Sequence, residues 1–185
     1  MKYVYLTIIY FGLLLSTLEY YARRVIGRID TQQDFNEFIA EHNLSKESSP
    51  EDISEALISS FTWRADRTLF GFLHLGYPKH PLVFLHDRRD DCEGYTLFAE
   101  KLLTELGFDS VFKVFSINHD GRGHAVCVAK IGNRHYAFGN WPVILLPSPD
   151  TEDVGRVIIR AMKSKLYVAI RFEGYKYVDY VRCDK

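Results

Sequence analysis

The hydrophobic period of the chain changes near residue 107. Before that point apolar residues recur at three- and four-residue spacing. After it they alternate, with one helical interval near the end. Thr31 and Asp34 open an amphipathic segment over 31–43, with Phe35, Phe38 and Ile39 as its stripe. A polar hinge at 45–50 follows. Ser49 then predicts a helix N-cap, with Pro50 at the first helical position and Asp52 at the third; Ile53, Ala56, Leu57 and Phe61 mark the buried face. From Cys92 to Leu106 the spacing of Tyr95, Phe98, Ala99, Leu102 and Leu103 predicts a helix, capped by Asp90 or Asp91 and stopped by Gly107. Residues 110–117, 123–131 and 134–140 read as strands, the last two joined at Gly132-Asn133. A proline-rich link at 142–149 leads to a helix from about Asp150 to Lys163. Strands at 166–172 and 175–182 then pair across Glu173-Gly174. Helices first and hairpin-joined strands after them predict an α+β fold, with the Cys92 helix packed on an antiparallel β-sheet. Segment 62–91 shows no period, and a loop of that length is expected to serve function.

The first stretch stands apart. Tyr3 to Leu18 carries no charge, but it is shorter than the roughly 20 residues a spanning helix needs, and extension to Tyr21 takes in Glu19. Tyrosines flank the run, and Arg23, Arg24 and Arg28 follow it. The expectation is therefore a hydrophobic helix over 1–28 that anchors or associates with a membrane through residues 3–21. The rest of the chain, 29–185, would form one domain on the cytoplasmic side, or the protein would be cytoplasmic. A buried helix and a cleaved signal are the alternatives. The signal fits less well, with one lysine before the run and no small-x-small cleavage site after it.

Composition narrows the classes. The 185 residues are 47% hydrophobic and 15% aromatic, enough for a packed core. With 23 basic against 24 acidic side chains, the net charge of -1 argues against a nucleic-acid role. Three cysteines make no disulfide framework, and the seven histidines show no zinc spacing, so neither metal nor cofactor is expected.

One constellation suggests chemistry. Cys92 falls in the first turn of its helix, where unpaired N–H groups favour a thiolate. His124 opens a strand after Gly121-Arg122-Gly123, and Asn140 ends the paired strand. Cys, His, then Asn is the order of a papain-type triad of nucleophile, base and orienting group. Alternation sets Cys127 on the face opposite His124, and Cys183 has no evident partner. Whether Asn140 can serve depends on register. A three-residue turn would pair Ile131 with His135, put Asn140 and His124 on one face, and join Val126, Val128, Tyr136 and Phe138 as a bulky side toward the Cys92 helix. That register is expected here. A two-residue turn would send Asn140 the other way.

The stretch R-R-D-D-C-E-G-Y, a helix ending L-G-F-D-S, then G-H-A-V and N-R-H-Y-A-F, resembles the transglutaminase-like cysteine peptidase superfamily over about residues 50–141. F-T-W-R-A-D at 61–66 is similar to an element that precedes the cysteine in many members. The resemblance implies Cys92 as nucleophile and His124 as base. It implies a peptidase or amidase that cleaves or transfers a peptide or isopeptide amide through a Cys92 thioester, with a protein or peptide substrate. Two positions depart from the pattern. Gly139 stands where the family's acid follows the aromatic, with Asn140 one residue later, and Asp90 replaces the glycine usual before Asp-Cys. A papain-like cell-wall endopeptidase, whose D-C-x-G matches residues 91–94, and a non-catalytic binding module of the same fold are the alternatives.

Overall fold

A computed structural model describes residues 2–25, 32–64, 68–69, 73–74 and 79–183. It is α+β. The helices are α1 (Lys2–Val25), α2 (Gln32–Glu41), α3 (Pro50–Ser60), α4 (Pro81–Asp87), α5 (Cys92–Glu105) and α6 (Thr151–Ala161). Short strands β1 (Thr62–Trp63), β2 (Thr68–Leu69), β3 (Leu73–His74) and β4 (Arg89–Asp90) lie between α3 and α5. The main strands are β5 (Asp109–Asn118), β6 (Gly123–Ile131), β7 (Arg134–Phe138), β8 (Ile144–Leu146), β9 (Leu166–Glu173) and β10 (Lys176–Arg182). These six form one sheet in the order β10-β9-β5-β6-β7-β8, with every neighbouring pair antiparallel.

The sheet lies between α5 and α6, and alternation along β6 divides the core. Cys127 and Ala129 join Phe138 and the α5 side chains Phe98, Leu102 and Leu103. Val126 and Val128 join Ala137 and the α6 side chains Val154, Ile158 and Ile159. Phe98 of α5 packs with Phe38, Phe61 and Phe84 in a ring cluster, stacked, tilted and edge-on, at centroid separations of 4.3–5.7 Å. Ser49 caps α3 in a full capping box with Asp52, as its spacing predicts. The proposed cap at Thr31 lies outside the described residues.

Three expectations need correction. Segment 62–91 is not irregular throughout, because Pro81–Asp87 is a helix. Its residues Pro81 to Leu85 are all buried, so no polar face gave it a period, and Pro81 sits at the helix start rather than breaking it. The link at 142–149 contains β8. The β6–β7 register is the two-residue one: Ile131 pairs with Arg134, Lys130 with His135 and Cys127 with Phe138, with Gly132 at φ 61° in the turn. Accordingly the valines face α6. The small side chains of β6 face α5, and this lets the helix approach the strand closely.

The first helix rests on the domain. The Tyr10 hydroxyl donates to Tyr175 O (3.1 Å) and accepts from Tyr177 N (3.3 Å), and its ring meets Phe172 edge-on at 5.7 Å. Tyr20 stacks on His80 at 3.9 Å. Leu6 packs on the sheet cluster of Phe115, Ala125 and Phe172, against which Cys92 also packs. Among the described residues no helix is long and apolar enough to cross a membrane.

Candidate active site

Cys92 begins α5 because Asp91 caps the helix, its Oδ1 accepting from Glu93 N at 3.0 Å. The local strand β4 fixes the approach, pairing in parallel with β1. Asp90 is buried in that strand, and its Oδ2 accepts from Lys79 N at 3.2 Å. Its carboxyl fills the space beside Gly94: a Cβ there would come 2.5 Å from Asp90 Cβ and 2.7 Å from Asp90 Cγ. Glycine at 94 is thus required by the acid at 90. Burial first, and Asp91 second, push Asp90 up to about 7.

The thiol of Cys92 lies beside β6. The backbone N–H of Ala125 favours its ionised form, while burial foremost, then Glu93 and Asp91, push it well above the usual thiol range. The Cys92 thiol donates to Glu93 Oε2 at 3.6 Å. Asp91, Cys92 and Glu93 each place one ligand-type atom within 4.8 Å of the others. The thiol bonds one of the two carboxylates and Asp91 accepts from the helix start, and both carboxylates place negative charge near the sulfur.

His124 precedes Ala125 and pairs across the sheet with Ser116. Its side chain is on the α6 face, where the Trp141 ring covers it at 4.0 Å between centroids. Burial holds the imidazole down at about 4, so it is neutral at pH 7. β7 pairing stops at Cys127, so the edge of β6 from Gly123 to Val126 is open on the β7 side. The fold therefore brings Cys92 to the residue next to His124 but on the α5 face, so the two side chains lie on opposite faces of β6 at its open edge and no hydrogen bond joins them. Cys127 is fully buried toward α5, away from His124, as alternation predicts.

Asn140 does not hold the imidazole. Its Oδ1 is buried without a partner, as are His124 Nε2, Trp141 Nε1 and Ser116 Oγ. The register explains this, since continuing it places Gly139 opposite Val126 on the His124 face and Asn140 on the other. A Cβ on Gly139 would lie 3.7 Å from Val126 Cγ1 and 3.6 Å from Trp141 Nε1. Position 139, where the resemblance would place an acid, therefore points at the cluster of unpartnered polar atoms. Sequence reasoning missed Trp141 and Ser116. A tryptophan directly after Asn140 was the available signal for the first; the second needed the strand pairing.

No family model matches the sequence, and no curated protein does. The fold is similar to that of Legionella pneumophila LapG, at a TM-score of 0.52 and 13% identity over 82% of each chain.

Proposed function

We propose that the protein is a cysteine hydrolase acting on a peptide or isopeptide amide, with Cys92 as nucleophile and His124 as base. The observation that carries this reading is the seat of the Cys92 thiol, at the start of α5 and against the Ala125 N–H, one residue from His124. Both groups rest neutral, so no thiolate–imidazolium pair waits for substrate. The proton moves as the bond forms: His124, turning about χ1 round the open edge of β6 to the side of Cys92, takes it from Sγ, and the sulfur adds to the carbonyl carbon. The Cys92 N–H, in the first turn of α5, donates to the developing oxyanion. His124 then returns the proton to the leaving nitrogen, and water or an amine resolves the Cys92 thioester. A protein or peptide substrate follows from this chemistry.

Labelling of Cys92 by a peptidyl vinyl sulfone tests the reading. The intact chain is expected to label at Cys92, and His124→Ala to label at least about a hundredfold more slowly. Equal labelling of the two would overturn it. A second reading has specific support. The raised thiol, Gly139 in place of an acid, and the unpartnered Asn140 favour a binding module of this fold without turnover. Labelling independent of His124 is its expected result.

A further inference from the structure

A cavity of about 540 Å³ opens at the end of α6, between the β5–β6 turn and the start of β9. It shares no residue with the candidate active site, and its size is that of a small-molecule site. Arg156, Arg160, Lys165 and His119 line it with Ser164, and buried Leu166 supplies an apolar patch. Among the described residues the lining contains no carboxylate, in a chain whose 23 basic and 24 acidic side chains otherwise balance. Two acids close by along the chain are engaged: Glu152 accepts from Arg156 Nε at 2.8 Å, and Asp120 pairs with Arg122 at 3.6 Å. Glu152 thus offsets Arg156. Arg160 and Lys165, both exposed, have no acidic partner among the described residues. Ser164 is held by buried Asn118, whose Oδ1 accepts from Asp120 N (3.0 Å) and Arg122 N (2.9 Å). That fixes Asn118 Nδ2 to donate to Ser164 Oγ at 2.9 Å, so the Ser164 hydroxyl keeps its proton for the cavity. The last carbonyls of α6 are satisfied in turn. Ile158 O accepts from Met162 N, Ile159 O from Ser164 N and Arg160 O from Lys163 N, which masks the negative end of the helix.

We propose that this cavity binds a small phosphomonoester by its phosphate group. The two cations without acidic partners match the nearly two charges of a phosphate monoester near neutral pH. A guanidinium, an ammonium and a hydroxyl supply the donors that its oxygens accept from. A carboxylate brings one charge and leaves one cation unmatched. A phosphate group alone fills only a small part of the cavity, so the ligand carries an organic part, which rests against Leu166 and the His119 ring.

Titration calorimetry of the full chain with phenyl phosphate tests this independently of any chemistry at Cys92. Phenyl phosphate is expected to bind, and benzoate, the same ring with a single charge, to bind at least about tenfold more weakly. Inorganic phosphate is expected to bind more weakly than phenyl phosphate, because it lacks the ring, and added salt to weaken all three. The double substitution R160Q/K165Q, at two exposed positions, is expected to lower affinity for phenyl phosphate by at least about tenfold with the melting temperature unchanged. Should that variant fail to fold, K165Q alone reads the same contact, with an expected loss of at least about threefold. A Kd for phenyl phosphate above about 10 mM, equal affinity for benzoate, or unchanged affinity in the folded variant would each overturn the proposal.

Discussion

Gly139→Asp is the most informative substitution in the domain. His124 titrates at about 4 rather than 6.5 because it is buried with no anion beside it. That displacement is worth about 3 kcal/mol against the imidazolium. A side chain at 139 grows from the face shared with Val126, two residues along β6 from His124, into ordinary contact with Trp141 Nε1 and Val126. A carboxylate there, about 5 Å from the imidazolium at an effective dielectric of 20, contributes about 3 kcal/mol. The two effects nearly cancel, so His124 is expected to titrate near 6 in G139D. The Trp141 N–H, now unpartnered, gains an acceptor and offsets part of the cost of burying the charge.

Nitrogen-15 NMR of the histidine ring reads this directly. In the natural chain the His124 signals stay those of a neutral ring down to about pH 5, and in G139D they move through a midpoint near 6. Vinyl sulfone labelling at pH 7 is expected to quicken as well, because the ring becomes a stronger base. Gly139→Asn, of the same size without charge, should occupy the space and leave His124 near 4. A folded G139D whose His124 still titrates at about 4 would refute the claim that position 139 faces the imidazole.

Other consequences can be measured. Glu93→Gln removes a carboxylate that raises the Cys92 thiol, so alkylation by iodoacetamide at pH 8 should accelerate several-fold; an unchanged pH profile would assign the raised thiol to burial alone. Asp90 holds its proton to about 7 in the folded chain against 3.8 unfolded, so ionising it removes about 3 kcal/mol of stability between pH 5 and 8, and D90N should lack that loss. His80 and His124 act in the opposite direction: both bind protons less readily when folded, so stability rises as pH climbs from about 4 through 6.5, and urea midpoints across that range should rise more steeply in D90N than in the natural chain. Gly94→Ala should destabilise by at least about 2 kcal/mol, since a methyl there meets a buried carboxyl that has nowhere to turn; a melting temperature within a degree of the natural chain would contradict that packing.

What the sequence revealed followed from period and punctuation. The capping box of α3, the start of α5 at Cys92 and the span of β6 were all legible because one local rule decides each. The helix α4 was not, because a segment buried all round carries no amphipathic signal. The register of the β6–β7 hairpin was misjudged for a different reason. Bulky residues were expected to face the helix that bears Cys92, but close approach of α5 to the strand needs small ones, and Ala125, Cys127 and Ala129 provide them. That single-residue difference moved Asn140 off the face of His124 and put Gly139 onto it. Cys92 and His124 were legible as candidates from helix and strand starts. Their electrostatic state was not, since it depends on burial that only the assembled fold sets.

The departures at 90 and 139 differ in kind. At 90 an acid stands where the pattern that the sequence resembles has glycine, and its carboxyl occupies the space that a side chain at 94 would take; the two positions are matched within one turn. An exchange of the pair, D90G with G94D, should therefore be tolerated better than either change alone, because each single change leaves a hole or forces a clash. A double-mutant cycle on melting free energies would show this as a coupling of at least about 1 kcal/mol. Additive effects would mean that the two side chains do not share the space. No such partner offsets the change at 139. The resemblance would place a carboxylate there, and His124 Nε2 and Trp141 Nε1 are buried without partners. A compensated change keeps the scaffold around Cys92 intact, and an uncompensated one removes charge from the base. In the proposed reaction, together they leave the Cys92 thiol one residue along the strand from an imidazole too weakly basic to ionise it at rest. Turnover by the proposed chemistry is then slow until a substrate brings the proton transfer about, and G139D should raise it while the D90G/G94D exchange leaves it unaltered.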